Sequence, residues 1–401
     1  MKLSQALQQN KGVGPGFHFL RHALSFVILA HHCRIAIRGV EDPTYAKGAV
    51  MAGGLYHQLT YGQLAIEAMR PGLYALVGSF FALSGFLVTG SALRNPTVST
   101  FFANRALRIA PALSVEVTLS AILLGPVVTT MALSHYFADP LFFNYFQNIL
   151  GHAQYRLPGV FIDNPWPALV NANMWTLAPE FWCYAITLVL MGTGLIVKRR
   201  FMTVAILLAV LVASIALIVD PTLDVHWGTT RFARWFIVLM FFLGMLFYVA
   251  AEHIPLSRTL FLAAAVGYYV LTIFNLLGPL AGILLTYCTV YLGFLAYPWF
   301  DRLLRDDLSY GMYLYGFPIT QTAVLFLLPR LSGLDIAGQF AIIFPLVLSA
   351  TIVFSIVSWK TIERPALRLK KYTTRFIKEA PKPPKPDAAS LSASESVATS
   401  G

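Results

Sequence analysis

Several groups suited to acid–base or anion chemistry sit inside one apolar stretch near the start of the chain. They include Arg21, His22, His31 and His32, within Phe17–Ile37, FHFLRHALSFVILAHHCRIAI. A charge or imidazole at the centre of a membrane helix costs several kcal/mol, so several in one segment ask for a reason. Arg21 and His32 are eleven residues apart, which is three helical turns plus about 20°, so both project from nearly the same side, about 16 Å apart. His31 lies about 80° from Arg21 in the same projection. Such a stripe suggests an anion anchored at one end of the helix and chemistry done further in.

A carboxylate, Glu180, opens another apolar segment, NMWTLAPEFWCYAI. Counted from the outer ends of their segments, His32 and Glu180 both lie about 7–8 Å below the surface at 1.5 Å per residue. An imidazole and a carboxylate at one depth can act as a base and its orienting partner, and a buried structural pair is the alternative. Arg105 and Arg108 share a face if helical. They read either as an anion site or as a basic flank of the membrane topology. Glu116, in a third apolar segment, is paired to a basic neighbour or functional.

The elements that must position these groups follow from composition. The 401 residues are 57% hydrophobic and 12% charged, far below the quarter charged that is usual in soluble domains, which makes this an integral membrane protein. Ten segments have roughly the length needed to cross hydrocarbon as helix. They are Phe17–Ile37, Leu73–Leu93, Ile109–Leu133, Trp175–Val197, Phe201–Val219, Trp235–Ala251, Leu260–Leu277, Leu280–Phe300, Ser309–Leu328 and Ala337–Trp359. Lipid offers the backbone no hydrogen-bond partners, so the expected fold class is all-α, a polytopic transmembrane helix bundle of about ten spans.

With the amino terminus inside, the inner segments hold 21 of the 29 basic residues, which favours two cytoplasmic termini. The net charge of +11 is then a topology signal and calls for no nucleic-acid partner. Cys33, Cys183 and Cys288 fall inside spans with no metal spacing. Bulky imidazoles before Cys33 argue that the first span is retained and not a cleaved signal. Residues 1–16 read as a cytoplasmic lead-in, 17–365 as the membrane domain, and 366–401 as a basic segment followed by a disordered tail. The outer loop 134–174 mixes aromatics such as Tyr136, Tyr145, Phe161 and Trp166 with Asp139 and Asn148. An interfacial belt is its simplest reading, and a platform for sugar rings is the functional one.

With these motifs laid out, the chain resembles the membrane acyltransferase-3 family, whose members O-acylate cell-surface carbohydrates. The motifs, in the family's order, are Arg21 to His32; FFxxSGFL at Phe80–Leu87; Arg105, Arg108 and Pro111; Trp175-Thr176-Leu177 with Glu180 and Tyr184; Ser309–Leu314; and Glu363 with Pro365. Two positions depart from many relatives: Gly316 stands where a histidine is common, and Gly78 where an acid is.

The resemblance implies an acyl-CoA donor, usually acetyl-CoA, approached from the cytoplasm, and a carbohydrate acceptor on the outer side. It implies the bacterial inner membrane as location, with membrane lipids as surroundings and no metal. His32 and Glu180 become the catalytic candidates, Arg21, Arg105 and Arg108 the donor-binding ones, and Ser84, Trp175 and Tyr310 substrate-binding ones. Arginine suits phosphates through its planar fork of donors. The rival is a transporter or flippase whose intramembrane Arg, His and Glu line a path without chemistry.

Overall fold

The computed structural model describes residues 1–39, 61–94, 97–220, 223, 226–227, 231–274, 276 and 278–370. The basic residues Lys371, Arg375 and Lys378 and the rest of the expected disordered tail lie outside the described residues.

The fold is helical, with one pair of two-residue strands, His226–Trp227 against Arg231–Phe232, among the described residues. A short helix α1 (Leu3–Gln9) is followed by α2 (Phe17–Arg38), α3 (Tyr61–Arg94) and α4 (Val98–Leu119). A π-helical turn, Ser120–Leu124, and α5 (Gly125–Val128) extend α4. Two small helices, α6 (Leu133–Ala138) and α7 (Pro140–Tyr145), precede α8 (Leu177–Gly192), α9 (Arg199–Val219), α10 (Arg234–Val249), α11 (Arg258–Ile273) and α12 (Gly278–Gly293). After α13 (Pro298–Leu303) come α14 (Ser309–Leu327), α15 (Ile336–Ser358) and α16 (Arg364–Arg368).

Each of the ten expected segments overlaps a helix, but fewer than ten qualify as spans. Among the described residues six stretches, built on α3, α4, α8, α9, α14 and α15, are long and apolar enough to cross a membrane, α10, α11 and α12 are shorter apolar helices, and α2 falls in neither group. Helix α9 shows why an apolar solvent is required: Val204, Leu208, Val212, Ile218 and Val219 are all more than half exposed. Helix α10 is its opposite, with Phe236, Ile237, Met240, Phe241, Leu243 and Met245 all essentially buried at the centre. Its crossing with α3 depends on two glycines. A Cβ on Gly85 would lie 1.9 Å from the Phe241 carbonyl oxygen, and one on Gly244 2.0 Å from that of Ala82. Close backbone approach through small residues is how helices bind when no water is left to expel.

Contacts sort the connections onto two ends. Leu3 N–H donates to Ile254 O, Gly16 N–H to Gly293 O, and Arg199 pairs with Glu252, which gathers the expected inner segments. At the other end Asn164 Nδ2 bonds Gln321 and Tyr268 donates to Pro71 O. The lead-in is not loose: Leu3, Ala6 and Leu7 are buried as α1 docks on residues 251–256.

The loop 134–174 is partly interior, although Phe137, Phe143 and Leu150 stay exposed. Tyr136, Tyr145 and Phe161 are fully buried, so these three are core where a belt at the membrane surface is expected. Its polar groups serve the fold, because Asp139 caps α7 through the Leu141 N–H and Asn148 ties Tyr145 O to Gln154. Gln321 Nε2 donates to both Trp166 O and Leu169 O, drawing the loop into the bundle.

Proline explains how deep it goes. Pro318 has no N–H, so the carbonyl of Leu314, four residues back in α14, loses its helical partner. Asn171 Nδ2 fills that role at 2.9 Å and also donates to Glu116 Oε1 at 3.0 Å. Asn173 Nδ2 donates to Tyr313 O, and the Tyr313 hydroxyl donates to Asn173 O at 2.8 Å. The segment 164–176 is therefore re-entrant: it carries its own hydrogen-bond partners into the bundle.

Candidate active site

One cavity of about 160 Å³ collects most of the residues singled out by the sequence. Arg21, Ser84, Arg105, Arg108, Glu180 and Tyr310 all line it, contributed by α2, α3, α4, α8 and α14. Much of its remaining wall is apolar, including Ile28, Val77, Phe80, Phe81, Leu87 and Phe241, with hydroxyls from Thr176, Tyr184, Ser309 and Tyr313. The space thus has a cationic end and a greasy flank.

The cationic end is built from the inner end of α2. His18, Arg21, His22 and Ser25 follow the i, i+3, i+4, i+7 spacing of one helical face. Each engages the turn that leads into α14. His18 lies 3.5 Å from Asp301, Arg21 pairs with Asp307 at 3.1 Å, and Ser25 Oγ donates to Ser309 O. His22 Nε2 accepts the Leu308 N–H at 3.0 Å, so its proton sits on Nδ1 and is donated to His18 O. His22 is a neutral brace and not a base.

Asp307, which the sequence reading passes over, is the hub. Its Oδ2 accepts from Arg108 at 2.9 Å as well as from Arg21, and its Oδ1 accepts from Ser309 Oγ at 2.6 Å. Burial alone would push this carboxyl up, but the Arg21 and Arg108 guanidiniums hold it well below the ordinary carboxylate range. Arg105 is different. Its guanidinium lies 5.8 Å from the Phe101 ring and 5.9 Å from the Tyr184 ring, with Nε buried and unbonded. Lys370 stands close by, and burial together with the charges of Arg105 and Arg108 pulls its pKa down to about 8.

Glu180 accepts a 2.6 Å hydrogen bond from Tyr184. Thr176 and Tyr313 meet at 2.5 Å and both line the cavity, although neither stood among the expected site residues. Tyr310 donates to Ile109 O. Trp175 is not brought to the cavity: it is 4% exposed and belongs to the hydrophobic core, while its neighbours Thr176 and Leu177 form the lining.

His32 is also outside the lining. Its ring neighbours are Phe317 at 5.5 Å, His31 at 6.0 Å and Trp166 at 6.2 Å. It sits one turn beyond Ile28, which does line the cavity, on the same stripe as Arg21. Glu180 stands in the cavity wall, bonded to Tyr184, whereas His32 packs by Phe317 and Trp166 outside the lining.

Among the described residues no cluster of His, Cys, Asp or Glu is placed to hold a metal, and the three cysteines are buried and unpaired. What remains is a cavity with a cationic end and an apolar flank, lined also by a carboxylate and several hydroxyls.

Comparison with known proteins finds relatives and a family. An O-acetyl transferase of Shigella phage Sf6 is 27% identical over 317 residues, covering 75% of this chain and 83% of that protein. Nodulation protein 10 of Rhizobium leguminosarum bv. viciae is 27% identical over 326 residues, covering 73% of this chain and 82% of its own length. No solved structure matches the chain. The acyltransferase-domain profile of acyltransferase family 3 matches residues 24–360, and with that match the chain belongs to the membrane acyltransferase-3 family.

Proposed function

We propose that this protein moves an acetyl or similar short acyl group from acyl-CoA to a hydroxyl of a cell-surface or lipid-linked carbohydrate. The single observation that carries the reading is the convergence of Arg21, Arg105 and Arg108 with Glu180 on one half-apolar cavity. Coenzyme A joins phosphates to a long, weakly polar arm ending in a thioester, and a cationic mouth continuing into an apolar flank suits both parts. The same reading makes all ten helices membrane spans in the bacterial inner membrane, with both termini cytoplasmic, so that the donor enters at the end where α1, α13 and α16 gather.

Acyl transfer needs a base for the acceptor hydroxyl. The hydroxyl oxygen attacks the thioester carbonyl, the base takes its proton, the C–S bond breaks, and the thiolate receives a proton to leave as the free thiol. Glu180 is the cavity's carboxylate and is our first candidate for that base, with Tyr184 orienting it. His32 is the second candidate, favoured by its place on the stripe that runs from Arg21 through Ile28. The relatives' printed names support O-acetyl transfer in preference to transport without chemistry.

The experiment is transfer of label from radiolabelled acetyl-CoA to surface glycan in purified membranes, comparing wild type with Glu180→Gln and His32→Ala. Label lost in Glu180→Gln alone supports the carboxylate as base. Label lost in His32→Ala alone moves the role to the imidazole. Equal label in all three removes both from the mechanism.

A further inference from the structure

The three arginines of the cavity are not equivalent. Arg21 and Arg108 both spend a terminal nitrogen on the same oxygen of Asp307, at 3.1 and 2.9 Å. That carboxylate is itself fixed, since its other oxygen holds Ser309 Oγ and the next residue's N–H is bound by His22. Two guanidiniums are thereby locked on one anion. Arg105 makes no hydrogen bond or ion pair among the described residues; its guanidinium lies near two aromatic faces and shares the cavity with Glu180. Its Nε is buried without a partner, as is that of Arg21, but Arg105 has no carboxylate bonded to its terminal nitrogens. A guanidinium in that state carries a desolvation cost that an incoming anion relieves.

We propose that Asp307 is a positioning residue that divides this work: it clamps Arg21 and Arg108 as the frame of the cavity and leaves Arg105 as the contact for a phosphate group of the ligand. The inference rests on the acyl-CoA reading and sharpens it, because it says which cation meets the phosphate and why the other two do not. Three arginines and Lys370 outnumber the carboxylates of Asp307 and Glu180, so the mouth stays cationic. A ligand with more than one phosphate charge is therefore favoured over a monoanion. Asp307 also excludes a simple alternative in which all three arginines grip the phosphate together, since two of them already hold a carboxylate in a fixed geometry.

The test is equilibrium binding of coenzyme A to the full-length protein in lipid nanodiscs, with the unfolding midpoint measured on the same samples. Arg105→Gln is expected to weaken binding about tenfold or more, the worth of a charged hydrogen bond, while its unfolding midpoint stays at the wild-type value. Asp307→Asn is expected to lower the midpoint and weaken binding, and Asp307→Glu to recover part of both. Inorganic pyrophosphate should compete for the wild type and not measurably for Arg105→Gln. Coenzyme A binding equally to wild type and Arg105→Gln would overturn the assignment and leave the donor reading standing. An unchanged midpoint and affinity in Asp307→Asn would overturn the clamp. Failure of the wild type to bind coenzyme A at all would overturn the donor reading and this inference with it.

Discussion

Replacing Asn171 by alanine should expose how much of this fold hangs on one amide. Its Nδ2 group donates to the Leu314 carbonyl and to Glu116 Oε1, both within a region where Glu116 and Asn171 are 1% and 0% exposed. The Leu314 carbonyl has no other helical donor because residue 318 is proline. The substitution leaves a carbonyl without a donor and strips a buried carboxyl of one of its two. A buried polar group left unsatisfied costs about 1–3 kcal/mol, and hydrogen bonds between membrane helices average about 0.6 kcal/mol, so a loss of about 2–4 kcal/mol is expected. The explanation has a sharper consequence. Pro318→Ala returns an N–H to α14 that reaches Leu314 O, so the Asn171→Ala penalty should shrink by about 1–2 kcal/mol in that background. The assay is a double-mutant cycle by detergent-titrated unfolding. An identical Asn171→Ala penalty with and without Pro318 would refute the idea that the amide replaces the missing helical donor.

Other consequences follow from particular distances. Gly85→Ala forces a Cβ into the Phe241 carbonyl and should cost about 1–3 kcal/mol in the same assay, whereas Gly192→Ala, with no atom within 4 Å of the new Cβ, should cost nothing measurable. Gly316→His, placing there the residue that the family resemblance leads one to expect, meets Leu29 Cδ1 at 2.6 Å from its Cβ alone. It should lower the unfolding midpoint and be relieved in part by Leu29→Ala. For Asp307 the folded pKa is depressed, so its contribution is fully present above the ordinary carboxylate value near 3.9 and is lost as pH falls below it. The stability difference between wild type and Asp307→Asn should therefore be constant from about pH 8 to 5 and shrink only below about pH 4. A difference that fades between pH 7 and 5 would contradict the clamp.

Much of this was legible in the residues themselves. The helices coincide with the apolar segments because length and hydropathy alone decide where lipid can be faced. Arg21, Arg105, Arg108, Ser84, Glu180 and Tyr310, picked out by their motifs, line one cavity. Depth was not legible. The segment before Trp175 reads as an outer loop because it is polar, yet Asn164, Asn171 and Asn173 are buried as donors inside the bundle. The available signal was Pro318, whose missing N–H obliges some amide to approach α14. Asp307 was passed over because it stands just outside a span, where an acid looks solvated. Its clue was the His18, Arg21, His22, Ser25 face on α2, which needed a polar partner. Trp175, expected to bind substrate, lies in the hydrophobic core outside the cavity lining.

The account stands on donor binding in this cavity, and photoaffinity labelling tests it most directly. Protein in nanodiscs would be irradiated with a photoreactive acyl-CoA analogue and the labelled peptides mapped. Labels are expected on Phe80–Leu87, Arg105–Ile109 and Thr176–Tyr184, abolished by excess coenzyme A and reduced in Arg105→Gln. Labels confined to other segments, or insensitive to coenzyme A, would contradict it.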